Sequence, residues 1–261
     1  MYFVTSDIHS NKIAFDKIVK KLDFKKDQLY INGDVIDRGN DGFKILDEIM
    51  ANNNIHLILG NHEVAMMNVY FAKKNNDKEK EENWTNYWFE GGGRKSYNYF
   101  FNELDDAKRD EYIKFLLTCS YEELLKVKGK YFYIVHACPS NNVLTKVTDR
   151  SEIYDIINFN LDIIIEQTQN GLNITYAKLY PEDIRLLLQD EERDYIVNPF
   201  VIVGHNPTKY FQSDKIGKIF RKNNILNIDC GSNGYNYEFD KDGFKGRLAL
   251  LCLNTMQVEY F

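Results

Sequence analysis

Proline is scarce in this chain, at 4 of 261 residues, and no Pro/Ser-rich or low-complexity tract interrupts it. That scarcity, with 44% apolar and 14% aromatic residues, excludes an extended linker protein and predicts a chain folded throughout. The four cysteines, Cys119, Cys138, Cys230 and Cys252, form no CxxC pair. This argues against a thiolate-bound structural zinc and reads as free thiols in a reducing compartment. No apolar stretch approaches the roughly 20 residues that cross a bilayer, and no basic and then apolar leader precedes Asp7. A cytoplasmic protein without a membrane partner is the expectation. Positive charge is not in excess either, with 33 Lys and Arg against 39 Asp and Glu and a net charge of −6. A protein that wraps nucleic acid usually has a basic face, so no nucleic-acid partner is expected. A small phosphorylated substrate held by one or two local cations is compatible with this balance. A GxxxxGK[ST] phosphate loop is also missing, as is any repeat of fixed period.

What is present is an alternation of short apolar runs and amphipathic stretches. Residues 2–6, 29–32, 55–59, 131–135 and 200–203 are β-prone. Ile13, Phe15, Ile18, Val19 and Leu22 mark one helix face, and Phe43, Ile45, Leu46, Ile49 and Met50 another. Residues 105–117 read as a further helix. This order implies an α/β protein with a parallel portion in its sheet. Residues 225–228, 247–253 and 257–261 read as a largely antiparallel closing section. Residues 73–83 are nearly all Lys, Asn, Asp and Glu and read as a solvated helix or loop. The aromatic stretch 84–101 is broken by Gly91, Gly92, Gly93 and Arg94; it reads either as a turn between packed aromatics or as a loop bordering a site, where glycine lets backbone approach closely. Residues 140–198 carry isoleucines at helical spacing and read as a helical insertion or cap within a single domain of residues 1–261.

The chemistry is concentrated where the apolar runs stop. Five of them end in residues of metal-ligand character: Asp7 and His9, Asp34, Asn61 and His62, His136, and His205. Four of the five histidines lie at such ends, and only His56 falls inside a run, where a structural role is expected. Ligands of α/β sheets bind at the carboxyl ends of strands, so residues distant in sequence are expected to converge on one edge. Carboxylate, imidazole and amide oxygen together suit Mn²⁺, with Fe or Zn²⁺ as alternatives, and they are too many for one ion. Two divalent ions about 3.5–4 Å apart can activate water and stabilise phosphoryl oxygens.

Asp7-Ile8-His9, Gly33-Asp34-Val35-Ile36-Asp37-Arg38-Gly39, Gly60-Asn61-His62-Glu63, His136-Ala137 and Gly204-His205 resemble, in order, the motif set of calcineurin-like metallophosphoesterases. The form of the second motif, with its arginine, is similar to the phosphoprotein phosphatase branch, and residues 229–231 with 247–248 resemble the family's last strands. The resemblance implies a β-sandwich of two mixed sheets flanked by helices. It implies that Asp7 and His9 hold one metal, that Asp34 bridges both, and that Asn61, His136 and His205 complete the second site. His62 becomes the general acid oriented by Asp37, and Arg38 the phosphate clamp, with Arg38, Asn61 and His62 all reaching the substrate. The implied activity is that of a two-metal phosphomonoesterase in which an activated water attacks phosphorus in line. A serine/threonine protein phosphatase acting on a phosphorylated protein is the leading expectation. A dinucleoside polyphosphate (diadenosine tetraphosphate) hydrolase is the alternative, and a metal-containing pseudo-phosphatase the reading outside catalysis. Two positions depart from the pattern: Ser10 stands where glycine often follows the first motif, and Leu59 where arginine often precedes Gly60. A second substrate arginine is sought among Arg150, Arg185 and Arg193, with Arg94 and Arg247 as weaker candidates. Glu63 is expected to cap or pack locally.

Overall fold

A computed structural model of the chain describes residues 1–137, 200–210, 217–222, 224–232 and 246–261. The insertion expected over 140–198, Cys138, and Arg150, Arg185 and Arg193 lie outside the described residues. Two five-stranded mixed sheets form the frame. The first has the order β10-β9-β1-β2-β3, built from β1 (Tyr2–Ser6), β2 (Gln28–Asn32), β3 (Ile55–Ile58), β9 (Ala249–Cys252) and β10 (Gln257–Tyr260). The second has the order β4-β5-β6-β8-β7, from β4 (Glu122–Val127), β5 (Lys130–Val135), β6 (Phe200–Val203), β7 (Phe220–Lys222) and β8 (Ile225–Asn227). In the first sheet β1, β2 and β3 run parallel and β9 joins β1 and β10 antiparallel. In the second the inner strands β5, β6 and β8 are parallel and the outer pairs β4–β5 and β7–β8 antiparallel.

Alternation along the strands explains why the sheets stack. Val4, Tyr30 and Ile58 of the first sheet share a buried cluster with Phe132, Ile134, Ile202 and Leu226 of the second. The intervening residues Phe3, Leu29, Ile31 and Leu57 point the other way, into a larger cluster with the helices. Central parallel strands covered on both faces read as continuous apolar runs, as residues 29–31 do. Helix α1 (Lys12–Lys21) begins where the Asn11 side chain accepts from the Ala14 amide at 3.1 Å, and it buries Ala14, Phe15 and Ile18. Helix α2 (Gly42–Met50) buries Phe43, Ile45, Leu46 and Ile49 on one face.

The charged run of residues 73–83 spans the end of α3 (Asn61–Lys74), a turn, and the start of α4 (Lys78–Glu90). Asp77 caps α4 by accepting from the Lys80 amide at 3.1 Å. Helix α3 has no amphipathic stripe because it is buried nearly all round from Asn61 to Val69. Helix α5 (Arg94–Asn98), a π turn at Tyr99–Glu103 and α6 (Asp106–Thr118) complete the helical layer.

The closing section is only partly antiparallel. Strands β9 and β10 form the expected hairpin, but β8 runs parallel to β6 in the other sheet. Among the described residues, no helix is long and apolar enough to cross a membrane.

Candidate metal centre

The parallel strands β1, β2, β5 and β6 bring Asp7 and His9, Asp34, His136 and His205 to one edge of the sandwich, as strand polarity predicts. Asn61 and His62 arrive with them because β3 leads directly into α3. The backbone there is sharply bent. Asp7, His9, Ser10, Asp34, Asp37, Arg38 and His205 have φ of 52°, 44°, 62°, 57°, 73°, 61° and 67°. Left-handed backbone at non-glycine residues costs free energy, and such positions cluster at functional sites. Gly33 (φ +79°) is required twice over, since a Cβ there would lie 2.3 Å from Nδ1 of His136. Likewise a Cβ on Gly204 would meet Oδ2 of Asp7 at 2.3 Å. Ser10, the departure from the motif, keeps its left-handed conformation and donates its hydroxyl to the Asp37 carbonyl at 3.0 Å.

Asp34 is the hub. Its Oδ2 lies 3.3 Å from Nε2 of His136, 3.6 Å from Nε2 of His62 and 3.7 Å from Nε2 of His9. Two groups of donors could each hold an ion, His9 with Asp34 and His62, and Asp34 with His136 and His205. Asp34 belongs to both. Asn61 adds its Oδ1, 2.8 Å from Nδ1 of His205 and 3.3 Å from Nε2 of His136. Its amide nitrogen donates to the Tyr87 hydroxyl at 3.2 Å, which fixes the orientation of the amide. Asp7 shares the pocket but directs its carboxylate at the His205 amide, 3.0 Å from each oxygen, and at the Ser6 hydroxyl.

The donor chemistry fits a cation. A carbonyl oxygen only accepts, so Nδ1 of His9, 3.2 Å from the Ile36 carbonyl, and Nδ1 of His136, 2.7 Å from the Asn32 carbonyl, must carry their protons. Both rings then turn the lone pair of Nε2 towards the Asp34 carboxylate, an arrangement that a proton or a metal ion must reconcile. The electrostatics of the site agree. Burial opposes charge on Asp34, yet His136, His62 and His9 hold it well below the ordinary carboxylate range. Burial likewise opposes charge on His136, but Asp34 and Asp7 push it up to about 10. Burial and then His136 bring His205 down to about 3, and burial with Arg38 and His62 lowers His9 well below its usual value. Burial, Asp229 and Asp34 raise Asp7.

His62 stands between two carboxylates. Its Nδ1 lies 2.5 Å from Oδ2 of Asp37, and the same oxygen accepts the Trp88 indole N–H at 2.6 Å. Burial tends to lower the His62 pKa, but Asp34 and Asp37 outweigh it and raise the value. The Arg38 charge is felt at His9, His62, His205 and Asp229, which puts it within electrostatic reach of the same groups. Of the weaker arginine candidates, Arg94 stacks on the Phe89 ring at 4.3 Å and Arg247 lies over Tyr260 at 5.8 Å. Leu59 is buried and its amide donates to the Ser120 carbonyl at 2.8 Å, so that position contributes no cation.

Glu63 caps α3 locally as expected and does more besides, while Asp229 and Trp88 escape a reading of motifs for reactivity. Glu63 accepts from the amides of Val35 (2.8 Å), Asp34 (2.9 Å), Gly60 (3.1 Å) and Ile36 (3.3 Å), and so carries the whole Asp34 loop. Its position three residues after the Gly60 cap is the available signal. Asp229, raised by burial to about 6, follows β8 at the same edge, and the strand-end rule could have included it. Trp88 has no such signal. The glycine stretch proves to border the site: the Arg38 amide donates to the Gly92 carbonyl at 3.4 Å, and Gly91 packs on His62.

Symmetrical bis(5'-nucleosyl)-tetraphosphatases are among the similar proteins. The one from Buchnera aphidicola subsp. Schizaphis graminum is 40% identical over 82 residues, 30% of each chain. That from Wigglesworthia glossinidia brevipalpis is 34% identical over 84 residues, 31% of this chain and 30% of its own. The chain thus spans about 30% of the length of the curated relatives it matches. Among solved structures, a protein serine/threonine phosphatase from Saccharomyces cerevisiae shares the fold, with a TM-score of 0.51 and 13% identity over 100% of this chain and 79% of that one. A cold-active protein-tyrosine phosphatase from a Shewanella species has the same TM-score of 0.51, with 14% identity over 99% of this chain and 79% of that one. The family model described as calcineurin-like phosphoesterase matches residues 2–237, and the chain belongs to that family.

Proposed function

We propose that the protein is a metal-dependent hydrolase that cleaves a phosphoanhydride in dinucleoside polyphosphates. The observation that carries the hydrolase reading is the convergence of three imidazoles on one carboxylate oxygen of Asp34, beside the Arg38 cation. The choice of substrate is supported by the relatives, which are named symmetrical tetraphosphatases. This moves the dinucleotide ahead of the phosphoprotein expected from the GDxxDRG loop.

Asp7 and His9 would hold one divalent ion, Asn61, His136 and His205 a second, and Asp34 both. Mn²⁺ is the preferred identity, with Fe or Zn²⁺ compatible with the same nitrogen and oxygen donors. When bound, such ions supply Lewis acidity and bring water towards its deprotonated form near neutral pH. The remaining work falls to the chain. Arg38 binds and orients a phosphoryl group through its planar fork of donors. His62, whose protonated form its carboxylate neighbours favour and which Asp37 orients, delivers a proton to the departing oxygen. Asn61 and His62 also line the phosphate pocket.

The test is a comparison of substrates on chelator-stripped protein restored with Mn²⁺. Diadenosine tetraphosphate is expected to be cleaved with a kcat/KM at least about 10-fold above phosphoserine, phosphothreonine or phosphotyrosine peptides, an order set by about 1.4 kcal/mol of differential transition-state binding. The products identify the bond: two ADP for symmetrical cleavage, ATP and AMP otherwise. Faster turnover of any phosphopeptide would reverse the substrate assignment, metal-independent hydrolysis would remove the metal requirement, and absent hydrolysis would remove the enzyme reading.

A further inference from the structure

We propose that Trp88 is a positioning residue of this site, acting on His62 through Asp37. The proposal rests on the reading of His62 as the proton donor. Trp88 occupies the last turn of α4, an element that contributes no candidate metal ligand, and it is 1% exposed. Its ring packs edge-on against Tyr97 and Phe101, with centroids 5.8 and 6.5 Å away. Its single polar atom leaves this apolar setting to donate to Oδ2 of Asp37 at 2.6 Å.

That oxygen also faces Nδ1 of His62 at 2.5 Å, and Asp37 is fully buried. The other oxygen, Oδ1, has no hydrogen-bond partner among the described residues. The Asp37 carboxylate is therefore held by the indole on one side and the imidazole on the other. Its main chain is fixed separately: its amide donates to the Ser96 hydroxyl at 3.1 Å and its carbonyl accepts from Ser10. Without the indole N–H, the carboxylate would have only His62 to set its rotation. Charge-assisted hydrogen bonds in a buried site are strong and directional, so that loss reaches the imidazole directly.

The glycines after α4 are what admit this arrangement. A Cβ on Gly93 would lie 2.2 Å from Cδ1 of Trp88, and one on Gly91 would lie 3.0 Å from Cε1 of His62. One short segment thus seats the indole and closes over the ring that it positions.

Trp88→Phe keeps an aromatic ring in the core and removes the donor. Replacing the indole by benzothiophene, through β-(3-benzothienyl)alanine at position 88, removes the N–H with almost no change of shape and serves if the phenylalanine variant folds poorly. With Mn²⁺ restored, kcat is expected to fall about 10-fold on phenyl phosphate and less than about 2-fold on p-nitrophenyl phosphate. The departing phenolate needs the proton far more in the first ester than in the second. KM and Mn²⁺ content should be unchanged, and Trp88→Phe should add nothing in a His62→Asn background. In metal-free protein, the downfield proton resonance of His62 Nδ1 should exchange with water at least about 10-fold faster in the variant, if the pair strengthens by about 1.4 kcal/mol in the presence of the indole. An equal loss of kcat on both esters, or additivity with His62→Asn, would overturn the proposal. Should His62→Asn itself cost the same on both esters, the acid assignment fails; the Nδ1 resonance then decides on Trp88 alone, and an unchanged exchange rate refutes it.

Discussion

The carboxyl edge of the sandwich and the space between its sheets obey different rules. Of the ten non-glycine residues with positive φ among those described, seven lie at the edge, from Asp7 to His205. Val4, Tyr30, Ile58, Phe132, Ile134, Ile202 and Leu226, which fill the gap between the sheets, include none. At the edge, carboxylates and imidazoles are buried beside one another; in the gap, apolar side chains interlock on regular strands. The interior is organised for stability, and it supports an edge whose own conformation is costly. Stored strain of this kind persists only where surrounding structure holds it in place.

The contrast breaks most sharply at Asp34. Asp34→Asn keeps size and one acceptor oxygen but removes the charge shared by both donor groups. Its kcat/KM should fall by about 10³-fold, the scale seen when a group that stabilises transition-state charge is lost. The fold should survive, and thermal melting distinguishes the two effects. At Mn²⁺ 100-fold above its dissociation constant the native protein gains about 2.7 kcal/mol, and the variant should gain less than half of that. Equal stabilisation of both by Mn²⁺ would mean that Asp34 holds no ion.

Glu63 ties the helical layer to the edge, since it lies in α3 and its carboxylate accepts from the amides around Asp34. Glu63→Ala strands four buried amide donors, at positions 34, 35, 36 and 60. Each unsatisfied donor costs about 1–3 kcal/mol; with partial relaxation and water entry, a loss of about 4 kcal/mol in urea unfolding is expected, together with most of the activity. A loss under about 1 kcal/mol would show that the loop holds its shape unaided. Ile202→Ala provides the converse case. Ile202 is fully buried between the sheets, and its truncation should cost about 3 kcal/mol through lost burial and a cavity. The kcat of the folded fraction should stay within about 2-fold, because interior packing alone does not set the first contacts of the reaction.

The edge was more legible in the sequence than the scaffold around it. Strand polarity sends each apolar run to a polar terminus, so the sequence alone gathers Asp7, His9, Asp34, Asn61, His62, His136 and His205. Helix α3 was not legible, because burial on every side erases the periodic stripe that marks a surface helix. Strand β4 was missed for a related reason: Glu122–Val127 mixes charge and leucine without clean alternation, and its pairing with β5 is what makes it a strand. The direction of β8 could not follow from its composition, since parallel and antiparallel neighbours both accept a run as short as Ile225-Leu226-Asn227. Trp88 left the weakest trace of all. Its partner Asp37 is 51 residues earlier in the chain, and no spacing rule joins an indole on a helix to a carboxylate in a loop.

The smallest effect is expected at His56, the one histidine away from the edge, and it tests the comparison by its sign. His56 is half-buried in β3, stacks on Tyr30 with ring centroids 4.7 Å apart, and has Nε2 2.7 Å from Oε1 of Gln28. Burial lowers its pKa, with a smaller opposing influence from Glu123, whereas the carboxylates around His62 raise that one. A depressed imidazole means that the unfolded chain binds more protons than the folded one below the ordinary histidine pKa of about 6.5. Stability should therefore be unaffected by His56 above that pH and should decline as pH falls through it, levelling off once the folded value is passed. His56→Gln removes this dependence while retaining a polar partner for Gln28. At pH 8 it should change unfolding free energy by about 1 kcal/mol or less, as expected for a partly exposed position, and the variant should lose less stability than the native protein between pH 7 and pH 5. A steeper loss in the variant would mean that His56 is stabilised as the cation, and that the interior of the sheet handles charge as the edge does.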